Sequence, residues 1–195
     1  MEEGSKKTTD EKLLLAAIDL ISARGYKSVT TLELAAAAGV SEKTLFRRFG
    51  SKQKLLEAAF DRFHYAAEMT AIFDERLVGD LHADLLLISR SYHAIMNRNR
   101  KMLMIGLKEA ENLPGFLERT MQHPRQFIDS LARYFKRLRD EGKLIDTDPE
   151  MQAFVFISMN YGLFLNDLEG GRFPSFSLDR TIEESVKTFV RALTP

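Results

Sequence analysis

The sequence predicts an all-α protein of about nine helices. Three observations carry that expectation. Apolar residues recur at helical spacing along the chain, and no segment shows the strict alternation of a strand. Capping residues stand before the periodic segments, as at Thr30, Ser41, Ser51 and Asp148. Gly25, Gly39 and Gly142 fall where periodic segments stop, as residues that enter the left-handed region readily should.

Composition narrows the classes of function. At 195 residues the chain can bury roughly 70% of its unfolded surface without staples, enough for one large or two modest domains. It has no cysteine, which excludes disulfides, thiolate zinc sites and cysteine nucleophiles. The stretch MEEGSKKTTDEK is charged and lacks an apolar signal region. No apolar run approaches the ~20 residues that span a bilayer. A soluble, cytoplasmic protein without a membrane partner is expected. Lys and Arg number 28, as do Asp and Glu. Residues 1–60 hold ten basic against eight acidic side chains, so any binding to nucleic acid must rest on local placement and not on a bulk basic field.

The first helix starts at a Thr9 or Asp10 cap and ends at Gly25, with Leu14, Ala17, Ile18 and Ile21 on its buried side. Thr30 caps the second, and Glu33 three residues on completes a capping box, with Val29 and Leu34 as hydrophobic staple. Gly39 ends it. Ser41 caps a third helix over residues 42–49, where Val40 and Leu45 repeat the staple. At about 100° per residue, Leu45 and Phe49 share one face of this helix. Lys43, Thr44, Arg47 and Arg48 occupy a roughly opposite arc. An apolar back with a cationic, hydroxyl-bearing front suits the major groove. The small-residue run Ala35–Ala38 permits the close crossing of a helix-turn-helix. Lys43, Thr44 and Arg48 are the expected base-edge or groove contacts, with Arg47 next. Ser51 caps a fourth helix over about residues 52–70, with Leu55, Leu56, Ala59, Phe60 and Phe63 on one side.

This stretch resembles the DNA-binding domain of the tetracycline-repressor (TetR) family of bacterial regulators. The resemblance covers residues 11 to about 60. It rests on LLLAAIDLISARGY, Thr30 with Leu34-Ala35, Ala38-Gly39-Val40-Ser41, Thr44-Leu45-Phe46, and Phe49-Gly50-Ser51-Lys52 followed by Leu55. It implies a helix-turn-helix domain over residues 1–55, a fourth helix serving as connector, and an effector-binding and dimerisation bundle over residues 56–195. It also implies phosphate contacts from Thr30 and Lys52. Phe46 stands where the family often carries tyrosine, so a hydroxyl-to-phosphate bond is absent there, and helical projection puts Phe46 near the core flank.

From residue 80 onward helices continue. Leu85, Ile88, Tyr92, Ile95 and Met96 form one stripe, and a short helix over residues 100–108 follows. Asn112 with Pro114 opens the next, which runs to Gly142, with Pro124 inside or breaking it and a kink expected near His123. Asp148-Pro149 starts a helix that is apolar nearly all round as far as Leu168. A helix hydrophobic on every side is buried on every side, which one chain of this size struggles to achieve. The last helix carries Leu178, Ile182, Val186, Phe189, Val190 and Leu193. Surplus apolar surface on these two helices points to a second copy packing into a four-helix interface. Phe154, Ile157, Tyr161, Leu165, Ile182, Val186, Phe189 and Val190 are the candidates. Met96, Met102, Met104, Phe127, Phe156 and Phe164 are candidates to line an effector pocket, because methionine adapts to irregular apolar shapes.

No phosphate loop, dinucleotide fingerprint, nucleophile elbow or paired-histidine motif occurs. No cofactor and no metal are expected. His82 and His93 lie ~16 Å apart along a helix, too far to grip one ion. His64 with Glu68 makes at most half a site, and Glu109 with Glu111 reads as a solvated face. The expected protein is a transcriptional regulator, most simply a repressor. It binds a near-palindromic double-stranded operator as a homodimer and is released by a small apolar or amphipathic effector. The alternative is an all-helical small-molecule-binding protein or enzyme in which the helix-turn-helix only packs.

Overall fold

The structure, a computed structural model, describes residues 7–63, 66–109, 112–113, 116–168 and 176–195. Among them lie ten helices and no strand: α1 Thr9–Arg24, α2 Thr31–Ala37, α3 Glu42–Phe49, α4 Lys52–Phe63, α5 Ala66–Glu75, α6 Leu81–Arg98, α7 Arg100–Glu109, α8 Phe116–Asp140, α9 Pro149–Leu168 and α10 Leu178–Leu193. The all-α expectation holds. The tenth helix arises because the segment expected as one helix over residues 52–70 is described as α4 and α5. Residues 64–65, between them, lie outside the described residues, as do residues 114–115 with Pro114.

The chain forms two compact units, one from residues 1–64 and 99–121, the other from residues 65–98 and 122–195. A boundary after residue 55 was expected; that point lies inside α4. Packing keeps α4 whole in the first unit and adds α7. The physical reason is a shared core. Leu55, Leu56 and Ala59 of α4 are buried with Leu13, Ala17 and Ile21 of α1, Leu34 of α2 and Leu45 of α3. Met102 and Ile105 of α7, with Leu113, close the same cluster.

Local chemistry sets the helix starts in this unit. Thr8, not Thr9 or Asp10, caps α1, because Glu11 stands three residues after it. The Thr8 hydroxyl accepts from the Glu11 N–H at 3.2 Å, and the Glu11 carboxylate accepts from the Thr8 N–H at 3.0 Å. Thr30 and Glu33 make the same reciprocal pair before α2. At the other end of α2, Gly39 takes a φ of 71°, and its N–H donates to Ala36 O at 3.0 Å. The Val40 N–H reaches back to Ala35 O at 3.0 Å. These two bonds make a Schellman stop that turns the chain within a few residues.

In the second unit, α6 packs on α9 and α10. Its buried stripe runs through Leu85, Ile88, Tyr92, Ile95 and Met96, as the sequence predicts. Phe127 of α8 stacks on Tyr92 at 5.8 Å and meets Phe73 of α5 edge-on at 5.4 Å. Asp84 is buried and accepts hydrogen bonds from the Val78 and Gly79 N–H groups and from the Tyr134 hydroxyl, at 2.9, 2.8 and 2.7 Å. Burial, with that carboxylate close by, pushes the Tyr134 phenol far above its ordinary pKa. Pro124 lies inside α8, which runs uninterrupted past it. The side chain of His123 lies outside the described residues.

Candidate nucleic-acid interface

The α3 helix is set by what it buries. Leu45 is fully buried in the first unit, and Phe49 and Val40 pack against the same cluster. The hydroxyl of Ser41 caps the helix by accepting from the Thr44 N–H at 3.2 Å. With that face fixed inward, Lys43, Phe46, Arg47 and Arg48 are exposed and Thr44 is half-buried. The arc expected from the sequence is therefore the outward face.

The cations on this arc are not equivalent. Lys43 and Arg47 make no hydrogen bond or ion pair among the described residues, whereas Arg48 pairs with Asp10 of α1 at 2.7 Å. Thr44 shares its hydroxyl with Ser41 at 3.0 Å. Phe46 departs from its expected position near the core flank: it is 46% exposed and lies on the outer face. The projection underestimated how far one step from Leu45 turns a side chain away from so narrow a buried stripe.

Thr30 is exposed at the start of α2, its hydroxyl engaged with Glu33. Glu33 also pairs with Arg24 at 2.8 Å. The Thr30 N–H, then the Arg24 guanidinium, hold the Glu33 carboxyl down from 4.5 to about 2. Lys52 is expected to meet a phosphate at the start of α4. Its ammonium turns inward, donating to Tyr26 O and Val29 O at 2.7 Å each, with the Tyr26 ring 4.1 Å away. Burial lowers its pKa, opposed by the attraction of Glu109. This lysine fastens the α1–α2 connection.

Glu109 is the residue that sequence reasoning missed. Expected on a solvated face, it is 8% exposed and accepts from the Tyr26 N–H at 3.0 Å and from Asn112 Nδ2 at 2.8 Å. A Cβ at position 25 would lie 3.1 Å from its Oε1, so Gly25, at φ 85°, is required both by its backbone and by this close approach. Its partner Glu111 and the candidate half-site His64 lie outside the described residues. No group of three potential metal ligands occurs among the described residues.

The remaining candidates divide by unit. Met102 is buried in the core of the first unit, and Met104 lies on the same helix. Met96, Phe127, Phe156 and Phe164 are buried in the second unit. Of the interface candidates, Phe154 is 56% exposed, and Tyr161, Leu165, Phe189 and Val190 are half-buried. Ile157, Ile182 and Val186 are buried within the chain, because they lie on the inward stripes of α9 and α10. Met151 and Val155, not among the candidates, are exposed beside Phe154. No described helix is long and apolar enough to cross a membrane.

Comparison with known proteins agrees with this layout. Residues 13–59 match the tetR family of bacterial regulatory proteins, and residues 83–194 match the C-terminal domain of AefR-like transcriptional repressors. The chain is 29% identical over 189 residues to the HTH-type transcriptional regulator YvkB of Bacillus subtilis, covering 96% of this chain and 98% of that one. It is 25% identical over 183 residues to the nucleoid occlusion factor SlmA of Haemophilus influenzae, covering 85% and 78%. Among solved structures, NalD, the secondary repressor of the MexAB-OprM multidrug efflux pump in Pseudomonas aeruginosa, superposes with a TM-score of 0.74 at 23% identity over 95% of both chains. PfmR from Thermus thermophilus does so at 0.72 and 19%, over 97% of this chain and all of that one. With residues 13–59 matching the tetR family and more than half the chain matching the C-terminal domain of a transcriptional repressor, this protein belongs to the TetR family of bacterial transcriptional regulators.

Proposed function

We propose that this regulator is a cytoplasmic repressor that binds a near-palindromic operator as a homodimer and releases it when a small apolar or amphipathic molecule binds the second unit. The observation that carries the DNA part is the outward face of α3. Lys43, Arg47 and Phe46 project from a helix anchored by buried Leu45. Arg47 and Arg48 would read guanine, the commonest arginine pairing in the major groove. Lys43 and Thr44 supply further groove contacts, and Phe46 can lie against a thymine methyl. Thr30 and the first-turn amides at Lys52 would meet phosphates, since a helix N-terminus favours an anion. The ammonium of Lys52 supports that site from inside.

Dimerisation is supported by Met151, Phe154 and Val155, three large apolar side chains exposed within five residues of α9. A twofold pair would place its two α3 helices on half-sites one turn, ~34–36 Å, apart. Release then needs only a coupling of ~1–3 kcal/mol between effector and operator, worth about 5- to 150-fold in affinity.

Selection from sheared genomic DNA of the host tests the reading. The full chain is expected to retain fragments sharing a near-palindrome, with retention falling steeply as salt rises. Recovery of fragments with no shared motif would refute specific operator binding.

A further inference from the structure

Among the described residues, four polar atoms are buried in the second unit without a hydrogen-bond partner, and they sit on three residues: Ser89 Oγ, both ring nitrogens of His93, and Asn160 Oδ1. Such atoms are costly and rare in native proteins. Ser89 and His93 stand at i and i+4 on α6, which puts them on one face. Asn160 projects from α9, which packs on α6, and lies near enough to His93 to favour its protonated ring. The three are 1%, 3% and 1% exposed.

The surroundings are apolar. Asn160 lies between Phe156 and Phe164 on the inward stripe of α9, four residues from each, and both rings are fully buried. Tyr92 meets His93 edge-on at 5.6 Å. Asn160 is held in one orientation, because its Nδ2 donates to Phe156 O at 2.9 Å, which leaves Oδ1 turned towards the His93 ring.

We propose that Ser89, His93 and Asn160 form the head-group site for an uncharged small molecule that carries a hydroxyl or primary amide on an apolar body. The assignment rests on the reading of the second unit as the effector-binding part, and it names the chemistry of that effector. Asn160 Oδ1 only accepts, so the ligand must donate. Ser89 can donate or accept, and a neutral imidazole offers one donor and one acceptor. Burial pushes the His93 pKa down, towards the neutral ring, against the opposing pull of Asn160 and Asp167. The neighbours that act on His93 include no cation. A carboxylate has no donor for Oδ1, and its only counter-charge would be a protonated His93 ring, which burial opposes.

The test titrates the full chain with decan-1-ol, decanamide and sodium decanoate, which share a chain and differ in the head. Two readouts are followed: the thermal unfolding midpoint, and the Cε1–H signal of His93 by NMR, one of four histidines. The alcohol or the amide is expected to raise the midpoint and move the His93 signal, with decanoate at least tenfold weaker. Asn160→Leu is expected to weaken the alcohol or amide at least tenfold without lowering the midpoint of the unliganded protein. A probe that raises the midpoint and leaves the His93 signal still would place the ligand elsewhere, overturning this site while the effector reading stands. Decanoate binding as tightly as the alcohol would overturn the head-group chemistry. Silence from all three probes in both readouts would overturn the assignment too. The effector reading falls by a separate result, operator binding that responds to no molecule in a small-molecule screen.

Discussion

Lys52 donates its ammonium to two backbone carbonyls of the α1–α2 connection, while Arg47, five residues earlier, carries the same charge into solvent. One is structural and the other available, and only surroundings separate them. Arg48 lies between these cases, exposed but paired with Asp10. In the proposed complex, entry into a groove would exchange that carboxylate for a base edge. Arg48→Ala is therefore expected to weaken specific operator binding by ~1–3 kcal/mol and non-specific binding far less, read by competition against random duplex. Equal loss on both would reassign Arg48 to a phosphate. Glu33 gives a prediction in pH. Its carboxyl titrates near 2 when folded against 4.5 ordinarily. A depressed folded-state pKa stabilises above the unfolded value and is lost as pH falls through the folded one. Glu33 thus contributes in full above pH 4.5, and its contribution fades towards pH 2. Thermal melts over that window should show Glu33→Gln losing less stability on acidification than the wild type.

At the scale of elements, the caps were legible because capping is local. Thr30, Ser41 and Ser51 each accept from an N–H three residues on, as their spacing predicts. The first cap was misplaced by one or two residues because three polar residues, Thr8, Thr9 and Asp10, compete there and only the position of Glu11 decides. The inward face of α3 was legible too, since one buried leucine sets it. The placement of α7 was not. Met102 and Ile105 make an apolar stripe that reads as core, but spacing says nothing about which core. For the same reason Glu109 was read as a surface carboxylate. Buried charge is set by a partner 83 residues away in sequence, the Tyr26 N–H. Glu109→Ala orphans that donor and is expected to cost ~1–3 kcal/mol in urea unfolding. Glu109→Gln keeps an acceptor and should cost less. Equal and negligible effects from both would leave Glu109 without a structural role in the first unit.

For the whole molecule, burial sorted what periodicity could not. A helix apolar on every side was evident in α9, but its division was not: Ala153, Phe156 and Ile157 face inward while Met151, Phe154 and Val155 face out. Sedimentation at micromolar protein is expected to give about twice the 22.3 kDa chain mass. Phe154→Glu should shift it towards monomer, and a monomeric wild type would refute the interface. DNA binding should follow the dimer, because paired half-sites bind as one unit.

The most direct measurement is the salt dependence of binding to the selected operator duplex, by fluorescence anisotropy. It compares the wild type with a variant carrying Lys43→Ala, Arg47→Ala and Arg48→Ala, after circular dichroism has shown matching melts. A groove-facing α3 predicts that the variant loses specific binding and that its log K against log salt slope becomes shallower, by about one for each phosphate contact removed. Unchanged affinity and slope would contradict it.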